Sequence, residues 1–171
     1  MILYHGSNVE IERIDLERCK PYKDFGRGFY LTTLENQAFD MAKRTTALHD
    51  CGQPVVTVFE LQDDWRETGI NFRAFTEPTE EWAMFVMNNR SRSYSDPSSP
   101  ECNVDNKYDV VYGPVANDRI AASFQLYQDE MISVDELVER LKYRKLNDQY
   151  SFHSEQAVAL LDRTGYLYER R

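Results

Sequence analysis

The sequence predicts an α+β domain. Three observations carry this: short aromatic and β-branched runs bounded by Gly and Pro, apolar residues at helical spacing between some of them, and no regular βαβ alternation. The 171 residues suit one domain, 1–171, and a content of 42% hydrophobic and 13% aromatic residues can supply its core.

"ILYHG" reads as a short apolar strand ended by glycine, and a polar connection follows it. "GFYLTT" returns to strand character, since aromatic and β-branched residues suit a half-buried pleated surface. Thr33 then offers an N-cap to a helix over "LENQAFDMAKRTTALHD", in which Ala38, Met41, Ala42, Thr45 and Leu48 are expected to face inward. Gly52 and Pro54 close that helix, and "PVVTVFEL" is the clearest strand of the chain. Pro78 suits the first turn of a second helix running through "TEEWAMFVMNNR". "SRSYSDPSSPECNVDNK" has no apolar period and reads as a flexible surface loop. "YDVVYGPVANDR" reads as a buried strand stopped by Gly113 and Pro114, with a helix over "DRIAASFQLYQ" after it. Ser133 and Glu136 form a capping box ahead of Leu137, Val138 and Leu141. A strand "QYSFH", a short helix "SEQAVALL" and a strand "GYLYE" complete the reading.

Charge narrows the function classes. The net charge of −9 comes with no long Lys/Arg cluster, which disfavours general binding to a nucleic-acid backbone. Cys19, Cys51 and Cys102 are far apart and lack CxxC spacing, so they read as free thiols in a reducing compartment. The opening residues lack a signal-peptide pattern, and no apolar run approaches the roughly 18 residues of a membrane span. A cytoplasmic protein with no membrane partner is the expectation. His49 and His153 have no metal-ligand spacing, so no metal is expected either.

Two stretches carry the chemistry. In "YHGSN", His5 stands in an apolar strand directly before Gly6, which lets another group approach the backbone closely. In "DFGRGFYLT" the glycines are not spaced as GxGxxG, and no phosphate loop follows. Phe29 and Tyr30 are consecutive on a strand, so one can enter the core while the other lines a cleft.

In this order the two stretches resemble the "HG" and "G-x-G-x-Tyr" elements of the ADP-ribosyltransferase superfamily, in its diphtheria-toxin and poly(ADP-ribose) polymerase branch. The third element of that branch is a glutamate on a late strand, and "NDQYSFHS" puts Gln149 at its place. With "EWAMFVMNNR" and "YDVVYGPVAND" added, most of the chain is similar to a bacterial group of small ADP-ribosyltransferase-like proteins catalogued as a domain of unknown function.

The resemblance implies two packed, mainly antiparallel sheets around an NAD cleft, flanked by helices. NAD is then a substrate, and the activity is mono-ADP-ribosyl transfer to a macromolecular acceptor with release of nicotinamide. It assigns His5 to a ribose hydroxyl, Gly6 to the nicotinamide carboxamide and Tyr30 to the nicotinamide ring, with Ser7 and Gly28 beside them. Phe39 and Met41 stand where relatives place a second aromatic. Arg90 either meets the pyrophosphate or is a helix-end surface partner, and Asp118 either caps the following helix or serves the acceptor side. Gln149 can hydrogen-bond the ribose but cannot ionise. A non-catalytic NAD or ADP-ribose binding module is therefore the alternative. Asp148 and Glu155 read as solvated surface groups. A protein acceptor is favoured over nucleic acid, and a toxin with a neutralising antitoxin is a further implication of the resemblance.

Overall fold

The apolar run at residues 2–7 and the valine-rich run at 55–61 find each other across the chain. They form β1 (Ile2–Ser7) and β3 (Val55–Leu61), antiparallel and paired without interruption from Ile2↔Glu60 to Ser7↔Val55. In this computed structural model, residues 1–94, 96, 99, 101–142 and 147–169 are described, excluding the side chains of 118 and 142. The other strands are β2 (Phe29–Thr32), β4 (Phe72–Ala74), β5 (Val110–Pro114), β6 (Asp148–Phe152) and β7 (Leu161–Tyr168). Five helices accompany them: α1 (Glu35–His49), α2 (Glu80–Arg90), α3 (Asp118–Gln128), α4 (Val134–Lys142) and α5 (Glu155–Val158). The chain is thus α+β, as expected.

The expected pair of packed sheets is replaced by one seven-stranded sheet, in the order β4-β5-β6-β2-β1-β3-β7. Only β4 and β5 run parallel. The reason for the difference lies at the centre, where β1 and β2 share the single pair Tyr4↔Thr32. That pair keeps the two halves in one sheet, while the strands separate beyond it. The register places Phe29, Leu31, Val110, Tyr112, Tyr150 and Phe152 on one face, over a core that includes Leu3, Phe59 and Trp65. Tyr30, Val111 and the residues alternating with the first set face a second core built on Trp82, Phe85, Ile120 and Leu137. We call these the first and second faces.

Helix α1 packs on β1 through small residues. Ala38 and Ala42 are buried, and a Cβ on Gly6 would overlap the Ala38 carbonyl and come within 2.8 Å of the Ala42 nitrogen. So close an approach leaves the longer side chains outside: Met41 is 48% and Leu48 73% exposed, contrary to the inward face expected for them. The cap also differs, because Leu34 occupies the N-cap position and the Thr32 hydroxyl, not Thr33, accepts from Leu34 N. Helix α2 starts at Glu80 rather than Pro78, since the Thr79 hydroxyl accepts from Trp82 N. Asn117 caps α3 by accepting from Arg119 and Ile120, so Asp118 is the first helical residue rather than the cap; its side chain lies outside the described residues. Ser133 accepts from Glu136 N at the start of α4 as the capping pattern requires.

Two further differences concern the region after α2. Strand β5 runs through Gly113 to Pro114 instead of stopping there. The Ser/Pro-rich segment lies partly outside the described residues, but its last part is anchored. Cys102 and Asn103 are fully buried, Asn103 N donates to Asn89 Oδ1 at 2.8 Å, and the Asn103 amide closes on the Tyr108 backbone. Polar composition here serves local backbone bonds rather than solvation.

Candidate functional site

His5 sits at the point where β1 and β2 separate. Extending the Tyr4↔Thr32 register would set Gly6 against Tyr30, yet no such pair forms. Instead the Tyr30 carbonyl accepts from His5 Nδ1 at 2.8 Å, so the imidazole bridges the split. A carbonyl only accepts, which fixes the proton on Nδ1 and leaves Nε2 as a lone-pair acceptor. The ring stacks on Phe29 at 4.3 Å between centroids. Burial lowers its pKa and outweighs the opposing bond to Tyr30, so the ring is neutral at pH 7. Nε2 has no hydrogen-bond partner among the described residues and is not fully sealed from solvent, since no described buried side-chain nitrogen or oxygen lacks one.

Tyr30 lies on the second face, opposite Ser151. Its ring lies near Phe25, stacked at 6.4 Å, and His153, edge-on at 6.4 Å. Its hydroxyl donates to Gly26 O at 2.8 Å and accepts from Phe25 N at 2.9 Å. Burial first, and then the Asp24 charge, hold its pKa well above the usual phenol range. The G-x-G stretch is thereby fastened to the sheet. Gly28 serves the same packing: a Cβ there would come within 2.6 Å of His153 Nδ1. His153 itself is buried between the Ser151 hydroxyl and the Arg27 carbonyl, far from any metal role, with a pKa lowered to about 4 chiefly by burial.

Gln149 shares the second face, beside Tyr30. Its Nε2 donates to Asp24 Oδ2 at 2.7 Å. The same oxygen accepts from Ala116 N at 2.9 Å, and Asp24 Oδ1 accepts from Arg90 Nε at 2.9 Å and Nη2 at 2.5 Å. Arg90 Nη2 also donates to Ala116 O. Asp24 is 7% exposed, so this is a carboxylate with its acceptor positions filled from β6, α2 and the segment before α3. Arg90 is therefore a structural ion-pair partner, with only Nη1 uncommitted, rather than a free helix-end cation.

The structure thus joins Tyr30, Gln149 and Arg90 through the Asp24–Gly26 segment, and ties His5 to them through the Tyr30 carbonyl. Ser7 is buried and pairs with Val55. Gly6 has its second-face side covered by α1, while no strand pair meets the β2-facing edge of β1 beyond Tyr4. Phe39 is half-buried on α1 and Met41 is exposed there, so neither is fixed as an aromatic wall. Asp148 is exposed, as is Glu155. Sequence reasoning missed Asp24, whose position just ahead of Gly26 and Gly28 was the available signal.

The fold and this linked set define an α+β domain with a central sheet that opens between β1 and β2 and a buried carboxylate beside Gln149 of β6. The chain belongs to the family described as a protein of unknown function (DUF3990), whose model matches residues 1–162. No curated protein matches it, and no solved structure does. Among the described residues there is no group of three or more side chains able to hold a metal ion, and no helix long and apolar enough to cross a membrane.

Proposed function

We propose that the protein is a NAD-dependent mono-ADP-ribosyltransferase acting on a macromolecular acceptor. The observation that supports this best is the neutral His5 ring at the strand split, with Nδ1 held by Tyr30 O and Nε2 open. Such a nitrogen accepts from a ribose hydroxyl without adding positive charge beside the cation-like ribose that forms when the glycosidic bond breaks. The open β2-side edge of β1 is where a carboxamide pairs with backbone at Gly6. Tyr30 contributes the carbonyl that holds His5, while its ring faces the second core and its fixed hydroxyl is not the group that bonds NAD.

Gln149 brings a second reading, a module that binds NAD or ADP-ribose without turnover. One N–H of its amide is held by Asp24, whose charge is already neutralised by Arg90, so on the second face β6 supplies an acceptor oxygen and one N–H but no free carboxylate. The experiment combines NAD labelled on its adenylate with the protein and a cell lysate. Transfer predicts nicotinamide release and label that protease removes and nuclease leaves, both abolished in folded His5→Ala. Binding without release in any lysate selects the module, and normal turnover in folded His5→Ala and Tyr30→Ala overturns both. A toxin with an antitoxin is part of the same proposal, as is a cytoplasmic location.

A further inference from the structure

The outer part of the first face, away from the strand split, holds a cluster of donors that the protein does not use. Trp65 and Arg66 lie in a 3-10 turn, Trp65–Glu67, packed over the β4–β5–β6 end of the sheet. The Arg66 guanidinium lies 4.4 Å from the Trp65 ring centroid, 5.5 Å from that of Tyr112 and 6.0 Å from that of Phe72. Trp65 is 2% exposed, so the arginine rests on a fixed floor. Yet it makes no hydrogen bond or ion pair among the described residues, in a chain of net charge −9.

Beside it, Tyr112 and Tyr150 stand opposite each other on β5 and β6, their rings stacked at 5.1 Å. Neither hydroxyl has a hydrogen-bond partner among the described residues. Tyr150 is only 9% exposed as a residue, yet its hydroxyl is not sealed from solvent, since among the described residues no buried side-chain oxygen lacks a partner. Arg66 over Tyr112 and Tyr112 stacked on Tyr150 bring these three side chains together on the first face. A guanidinium held over aromatic rings, with the stacked Tyr112–Tyr150 pair beside it, is a preorganised set of donors lacking its acceptor.

We infer that this cluster is a binding site for a phosphate monoester, distinct from the site at His5. The guanidinium edge and the two hydroxyls donate to phosphate oxygens, whose several acceptor positions match donors arriving from more than one side. Phe72, 36% exposed at the rim, offers a face to an aromatic group carried by the ester. Asp148 lies on the same strand two positions from Tyr150 and limits the affinity for any anion. The site stands on these residues alone and does not depend on the transferase reading.

The test follows Trp65 fluorescence in a Trp82→Phe background, because Trp82 is the second of the chain's two tryptophans and is buried in the other core. Phenyl phosphate, inorganic phosphate and benzoate are titrated at constant ionic strength. The expected result is saturable change with both phosphates, about tenfold tighter for phenyl phosphate, and weaker with benzoate. Arg66→Gln and Tyr150→Phe, each shown to melt as a folded protein, are expected to lose at least tenfold in affinity, while His5→Ala binds as the parent does. No saturable change, benzoate binding as tightly as phenyl phosphate, or unaltered affinity in either folded variant overturns the inference.

Discussion

Gln149 donates an amide N–H to Asp24 at 2.7 Å across 125 positions of sequence, and that bond shapes what this side chain of β6 can offer a ligand. With one N–H of Nε2 engaged, Gln149 presents its carbonyl oxygen as an acceptor and one remaining N–H as a donor. Gln149→Glu sets a second carboxylate against Asp24, so the pair shares a proton and one folded-state pKa rises. The penalty is then present at pH 7 and relieved as pH falls through the raised value. Urea unfolding at pH 7 and pH 5 is expected to show the variant destabilised at pH 7 and closer to wild type at pH 5.

Asp24→Asn removes the charge that Arg90 and Ala116 N rely on, and leaves Arg90 partly buried without its counterion. Loss of one partner from such a pair costs about 3 kcal/mol. Denaturant unfolding checks the value. Arg90→Gln is expected to lose a similar amount, and the double variant less than the sum of the two.

Gly6→Ala meets the backbone of α1 at Ala38 and Ala42, neither of which can rotate away. The helix must lift from β1, an overpacking cost of about 3 kcal/mol. A lower melting temperature with weakened amide protection along Glu35–His49 is the expected signature.

His153 is held neutral, its pKa lowered to about 4 from 6.5. Because the unfolded imidazole takes its proton first, this stabilisation is complete above about pH 6.5 and is lost as pH falls toward 4, about 3 kcal/mol in all. His5, lowered in the same direction, adds to the loss. His153→Gln is expected to start from a lower melting temperature at pH 7 but to decline less steeply between pH 6.5 and 4.5.

The order of strands and helices was legible because each element carries its own local signal. "PVVTVFEL" is rich in valine and bounded by turn residues at its start, and the Ser133 cap fixes α4. The short β4 was missed, since three residues carry no period and its pairing with β5 is a property of the sheet. The inward face of α1 was read only in part, for a related reason. Helical spacing names Ala38, Met41, Ala42, Thr45 and Leu48 together; the close approach permitted by Gly6 buries Ala38 and Ala42 as expected but leaves Met41 and Leu48 outside. In the site, His5, Tyr30 and Gln149 were marked by their motifs. Asp24 was not, because its role comes from partners on β6, α2 and the segment before α3 that only folding assembles.

The central claim is that NAD binds where His5 bridges β1 and β2. Isothermal titration of NAD into wild type and into His5→Ala, with both shown to have the same circular dichroism and cooperative melting, tests it most directly. Saturable binding to wild type that weakens at least tenfold in His5→Ala is the expected result; no binding to wild type, or equal binding to both, contradicts the account.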